Sequence, residues 1–270
     1  MLDFLRVRLR QGTRTSSFPG QPAEFPSRFR GRPVLDPSRC HECGICRDAL
    51  PSSLLTLGPD GRASVDLGGG LFSPEEVAGC PEGSIRYSAD HRLSARERSG
   101  LVSPTGDLAA VAPLEQPARR LFGRSLRLRS VAAGSCNGCE AELVALGNVV
   151  FDMARFGVQF VASPRHADGM VITGAVSRNM REAVFRTYEA IPEPRIVIAV
   201  GACAINGGPF RGAPEVTDGV PAEIPVDLWI AGCPPHPLTV LDGLLSLLGR
   251  LDQAPRLEPA APARAGPGPF

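Results

Sequence analysis

The sequence predicts an α/β protein in which a parallel sheet, covered by helices on both faces, follows a small α+β module. Three observations carry this expectation. Across residues 125–252, short β-branched or apolar runs alternate with helical patterns, and strand, helix, strand in that order implies parallel pairing with both faces covered. Residues 31–90 hold half of the 8 cysteines in a stretch too short to bury an ordinary core, so the module needs a staple. Proline- and glycine-bearing segments at 1–30, 91–124 and 253–270 bound the two units.

In chain order, residues 1–30 read as an extended or partly helical arm broken by Pro19, Pro22 and Pro26. Its apolar Leu2, Phe4, Leu5, Val7 and Leu9 interleave with Arg6, Arg8 and Arg10, which is not the continuous apolar region of a secretory leader. Residues 31–90 form the module, and 91–124, polar and punctuated by Pro104, Pro113 and Pro117, reads as a linker over a surface. Strands are expected at Leu126–Ala133, Gly157–Ala162, Gly169–Thr173, Arg195–Val200 and Val226–Ile230. Helices are expected at about Glu140–Phe151, Asn179–Ile191 and Leu238–Leu251, the last with a core stripe of Leu241, Leu244, Leu245, Leu248 and Leu251. Residues 253–270, rich in Pro, Ala and Gly, read as a disordered tail.

Composition limits the function classes. The formal net charge is +1, the basic residues are all arginine and scattered, and besides phenylalanine there are only 1 Trp and 2 Tyr. Nucleic-acid binding is therefore not expected. No run approaches the roughly 18 apolar residues of a membrane span.

The cysteines divide into two sets of four with none left over. Cys40, Cys43 and Cys46 are followed, after a long gap, by Cys80-Pro81. The duplicated bacterial ferredoxin pattern is C-x2-C-x2-C-x3-C-P, and its Cys-Pro ligates the cluster of the other repeat. Counting on from Cys46, the repeat's own Cys-Pro is replaced by Leu50-Pro51; counting back from Cys80, the partner positions hold Gly70, Ser73 and Glu76. One cluster keeps four ligands and the other has lost all of its own, which makes this a one-cluster ferredoxin-like module. Zinc normally takes two separated C-x2-C pairs, and disulfides are unexpected in a reducing compartment. His41 and Glu42, between cluster cysteines, are expected to face solvent and to shift the potential.

The second set, Cys136, Cys139, Cys203 and Cys233, falls just after three of the expected strands. Ligand sites of open parallel sheets gather at the carboxyl ends of the strands, so three loops should converge on one 4Fe-4S site. Gly134, Gly138, Gly201, Gly207, Gly208 and Gly232 beside them allow tight turns. A lone Cys136-x2-Cys139 would suit a thioredoxin-like redox pair, a reading that the two further loop cysteines oppose.

The stretches Ser135-Cys-Asn-Gly-Cys-Glu-Ala-Glu142, Thr173-Gly-Ala-Val-Ser-Arg-Asn-Met180, Ile191-Pro-Glu-Pro194, Gly201-Ala-Cys-Ala-Ile-Asn-Gly-Gly-Pro-Phe210 and Gly232-Cys-Pro-Pro-His-Pro237 resemble the small subunit of membrane-bound, energy-converting NiFe hydrogenases, relatives of the B subunit of respiratory complex I. Arg30-Gly-Arg-Pro33 ahead of Cys40 resembles the ferredoxin-like subunit of the same complexes, so the chain looks like a fusion of the two. The resemblance implies a flavodoxin-like parallel-sheet domain, two 4Fe-4S clusters in all, and an electron-transfer subunit of an oxidoreductase whose active site lies on a partner large subunit. It further implies membrane subunits of the same complex, a soluble electron donor, and a cytoplasmic location at the inner face of the membrane. Cys136-Asn-Gly-Cys139 departs from the adjacent cysteines usual in complex I subunits and favours the hydrogenase side. A complex I-like quinone oxidoreductase, or a nickel-free relative, is the alternative. Glu142 matches a family glutamate near the subunit interface and could carry protons or simply favour the helix start. His236, beside Cys233, could tune the cluster or be structural.

Overall fold

The computed structural model describes residues 2–40, 52–57 and 62–251. In chain order its elements are α1 (Leu2–Gln11), β1 (Pro33–Leu35), β2 (Leu55–Leu57), β3 (Ala63–Asp66), α2 (Glu75–Ala78), β4 (Ile85–Tyr87), β5 (Ser94–Ala95), β6 (Val102–Ser103) and α3 (Gln116–Phe122), followed by β7 (Leu126–Ala132), α4 (Gly138–Ala145), β8 (Val158–Phe160), β9 (Gly169–Thr173), α5 (Arg178–Ala190), β10 (Ile196–Val200), α6 (Ala202–Asn206), β11 (Leu228–Ile230) and α7 (Pro237–Leu247).

The last five strands and β5 form a six-stranded sheet in the order β5-β11-β10-β9-β7-β8. All pairs are parallel except β11 with β5. From β7 onward the order is that of doubly wound, flavodoxin-like sheets, second strand outermost, then first, third, fourth and fifth. Every residue of β9 and β10 is buried, the pattern of strands covered on both faces. One face packs Leu128, Ile198, Leu228 and Ile230 against Leu241, Leu244, Leu245 and Leu248. The other packs Val131, Met170, Ile172 and Val197 against Val184 of α5. α7 is buried along its whole length, because the segment before α3 covers its outer side, with Leu114 N–H donating to the Leu247 carbonyl at 2.8 Å.

That segment corrects an expectation. Residues 91–124 are no surface linker: they supply β5, β6 and α3 and bury Leu93, Leu101, Val111, Leu114 and Phe122 in two cores. Two-residue strands carry no periodicity to read, and prolines that suggest exposure here only bend a packed chain. Two helices also end early, at Ala145 and Leu247, because the chain turns back at Gly147 and Gly249 through Gly147 N–H to Val144 O and Gly249 N–H to Ser246 O.

Ahead of the sheet, β1 pairs antiparallel with β4, and β2, β3 and β6 form a three-stranded antiparallel sheet. Their core includes Ile205 of α6 and Ala231 beyond β11, so the two parts share a packed seam. Residues 16–30 strap across the sheet domain: Ser16 N–H donates to Val150 O at 2.8 Å, Arg155 donates to the Ser16 and Phe18 carbonyls, and Phe18 and Phe25 pack on the sheet-domain core. Phe4 and Leu9 of α1 stay exposed. Among the described residues, no helix is long and apolar enough to cross a membrane.

Candidate metal centre

Cys136 and Cys139 follow β7, Cys203 sits in the short α6 directly after β10, and Cys233 follows β11. The chain leaves β7 for β8 on one side and returns to β9 on the other, so the Cys136 loop stands at the topological switch point, where such sheets bind ligands. The backbone is shaped for convergence. Gly134 has φ +88 and Asn137 +69, both left-handed, which turn the chain so that α4 begins with Cys139 in its first turn. Gly201 at φ +89 starts α6, and a Cβ there would lie 2.5 Å from Cys139 Sγ. A Cβ on Gly208 would lie 2.9 Å from Cys203 Sγ, and one on Gly138 3.5 Å from Cys136 Sγ. At Gly201 and Gly208 any side chain would collide with sulfur, whereas at Gly138 a Cβ would make only ordinary contact.

The thiols feel one another. Burial, then Glu140 and the three other thiols, push Cys139 up. Burial, then Cys233, Cys136 and Glu140, push Cys203 up to about 11. Burial, then Cys136 and Glu76, raise Cys233. Four thiolates gathered this way repel, and a cationic centre relieves that repulsion while using the deprotonated sulfurs as ligands. The described cysteines are all free thiols. Among the described residues, no group of three or more His, Cys, Asp or Glu is arranged to hold a single metal ion.

Glu140, which the sequence motifs do not single out, is the best-held acidic group of the site. Ser135 Oγ donates to its Oε1 at 2.6 Å and Thr173 Oγ1, at the end of β9, donates to the same oxygen, while its buried Oε2 has no hydrogen-bond partner among the described residues. Its signal is the pairing of β7 with β9, which brings Thr173 opposite Ala132 and which no local pattern reports. Glu142 is half-buried and raised by burial. It shares a cavity of about 250 Å³ with Phe72, Cys233, His236 and Thr239. His236 caps α7, its Nδ1 accepting from Leu238 N–H at 3.1 Å, with the rings of Phe25, Phe29 and Phe151 edge-on to it. Burial lowers its pKa, so the structural role is the one its geometry fits.

Of the first set, Cys43 and Cys46, with His41 and Glu42, lie outside the described residues. Cys40 follows β1 and Cys80 precedes β4, and the register Leu35 opposite Ile85 brings both to one end of that pair, against the same small core. Burial works to raise Cys80, but Ser84 Oγ at 3.0 Å and backbone N–H groups of Ser84, Glu82 and Gly83 outweigh it and lower the thiol. Donors aimed at sulfur favour a thiolate there.

A family model described as the NADH ubiquinone oxidoreductase 20 Kd subunit matches residues 136–247. Formate hydrogenlyase subunit 7 of Escherichia coli is 39% identical over 161 residues, 60% of this chain and 63% of that protein. A probable membrane-bound hydrogenase subunit of Pyrococcus furiosus is 42% identical over 132 residues, 49% of this chain and 79% of that protein. The NADH-quinone oxidoreductase B subunit of Desulfovibrio desulfuricans is 40% identical over 151 residues, 56% of this chain and 80% of that protein. The chain thus spans less than two thirds of the first of these relatives.

Proposed function

This chain belongs to the NADH ubiquinone oxidoreductase 20 Kd subunit family, and from that premise we propose that it is the electron-relay subunit of a hydrogenase-type complex, its active site on a partner large subunit. The observation that carries the reading is the meeting of Cys136, Cys139, Cys203 and Cys233 on three loops at the switch point, with glycines where side chains would collide with sulfur. These residues fit a 4Fe-4S cluster, and Cys40, Cys43, Cys46 and Cys80 are proposed to hold a second. Such clusters supply one-electron storage at potentials set by charge, hydrogen bonds and exposure.

The chain's own residues do the rest. Cys203 is buried and Cys139 half-buried, which limits water at their sulfurs, and Glu140, pinned by Ser135 and Thr173, orients the Cys139 turn. Val144 (77% exposed) one turn beyond Cys139, and Phe210 (42%) beside Gly208, offer apolar contact to the partner around the site, in keeping with the enrichment of such groups at interface centres. Membrane subunits of the same complex, a soluble electron donor, and peripheral association at the inner face of the cell membrane belong to this reading. The similarity to quinone oxidoreductase subunits supports a second one, a complex I-like quinone-reducing assembly. Nickel in the purified complex separates the two.

Anaerobically purified chain is expected to hold about eight irons, four per cysteine quartet. Cys203→Ser should lose one quartet's iron and its reduced-state spectrum while sparing the other, and Cys80→Ser should do the reverse. Stoichiometric zinc with little iron would refute the proposal.

A further inference from the structure

The places that a second module cluster would use are taken by a hydrogen-bonded group. Glu76 is 0% exposed. Its Oε1 accepts from Leu71 N–H at 2.7 Å and its Oε2 from Ser73 N–H at 3.0 Å and from the Tyr87 hydroxyl. That hydroxyl also lies 3.1 Å from the Ser73 carbonyl. All three contacts come from groups able to donate to it, and such bonds favour the ionised form of the carboxyl. Burial, followed by the bond to Glu76 and its charge, raises Tyr87, which keeps its proton and stays a donor.

This group lies against the four-cysteine site. Phe72, between the two backbone donors, stacks on Tyr87 with ring centroids 6.1 Å apart and lines the same cavity as Gly232 and Cys233. A cation near it, Arg30, donates from Nε to the Phe72 carbonyl at 2.5 Å, but it is exposed, and water screens an exposed guanidinium far more than a fully buried carboxylate. The bonds of Glu76 to the N–H groups on either side of Phe72 tie the carboxylate to a residue that lines one cavity with Cys233.

We propose that Glu76 is a fixed negative charge, buried in the seam between module and sheet, that makes the Cys233 side of the four-cysteine site harder to reduce. This rests on the reading that the site holds a cluster. Reduction adds an electron, and a nearby buried anion opposes it through a poorly screening interior. Glu76 is thus a positioning residue for charge and touches no reacting atom.

The test is a redox titration of the full chain by electron paramagnetic resonance, the second cluster being identified by its loss in Cys203→Ser. Glu76→Gln should raise that cluster's reduction constant about tenfold, about +59 mV for one electron. Tyr87→Phe, which keeps the carboxylate, should leave it within about threefold. An unchanged potential in Glu76→Gln overturns this inference alone, and equal rises in both variants overturn it by assigning the effect to packing. Absence of any second-cluster signal in the unmodified chain overturns the functional reading beneath it. Should Glu76→Gln fail to fold, infrared difference spectra with labelled tyrosine decide, because coupling between two sites is reciprocal. The chain has 2 Tyr, and Tyr188 lies on α5 under Arg195. Reducing the second cluster should produce a tyrosine band that Tyr87→Phe removes; no such band refutes the inference.

Discussion

At the scale of single residues, glycine geometry separates space from strain. Gly201 and Gly212 both have positive φ, +89 and +76, but only at Gly201 would a Cβ meet a sulfur; at Gly212 nothing lies within 4 Å. Gly212→Ala should therefore cost about 1 kcal/mol of stability and no iron. Gly201→Ala should cost about 1–3 kcal/mol and lose the iron of its quartet, as iron analysis beside urea unfolding will show. A second prediction concerns Arg32, 3% exposed, whose guanidinium contacts Asp90 and Asp107 and donates to the Gly106 carbonyl at 3.1 Å. Arg32→Ala leaves the half-buried Asp90 with one partner fewer and should cost about 1–3 kcal/mol. Burial works to raise Asp90, but bonds from Arg92 and the charges of Arg92 and Arg32 outweigh it, so its folded pKa lies below the unfolded value near 3.9. Its contribution is complete above that value and fades as pH falls through the lower folded one; acid titrations of stability should show the variant losing less below about pH 4 than the unmodified chain. That Cys136, Cys139, Cys203 and Cys233 follow the ends of three parallel strands was legible as spacing, each falling just after an expected apolar run. Glu140 was not: a glutamate next to a cysteine looks like any first-turn acid until strand pairing sets Thr173 beside it.

At the scale of elements, periodicity foretold the long members and missed the short ones. β9 matched its expected bounds and α5 came within one residue of them, because an apolar run or a 3.6-residue stripe of that length has few alternatives. β5 and β6, two residues each, exist only because β11 and β3 offer them partners. For α7 the stripe identified the inward face but not that the outer side is covered too. Leu241, with 0% exposure, should lose about 2–5 kcal/mol on change to alanine, whereas Leu121→Ala, on the exposed side of α3, should stay within about 0.5 kcal/mol. Urea midpoints of the two variants check this.

At the scale of the whole molecule, the module and the sheet are one packed body. Ile205 and Ala231 sit in the module's core and Arg211 donates to Ser53, while the segment around β5 ties in through Arg96 to the Asp227 carbonyl and Ala231 N–H to Leu93 O. Thermal unfolding followed at Trp229, on the sheet, and by the module's circular dichroism or visible absorption should coincide in one transition; two separated transitions would show independent folding. The placement of β5 has a practical side as well. It closes the β11 margin of the sheet, so a recombinant fragment started at residue 125 to isolate the family-matched region would bare a row of backbone donors and acceptors along Leu228–Ile230 and strip Leu114 and Phe122 from the apolar core. Bare strand margins recruit other chains. Such a fragment should polymerise or precipitate in size-exclusion chromatography where the full chain, with β5 in place, should not, and the useful cloning boundary for this half of the protein therefore lies well ahead of its own first parallel strand.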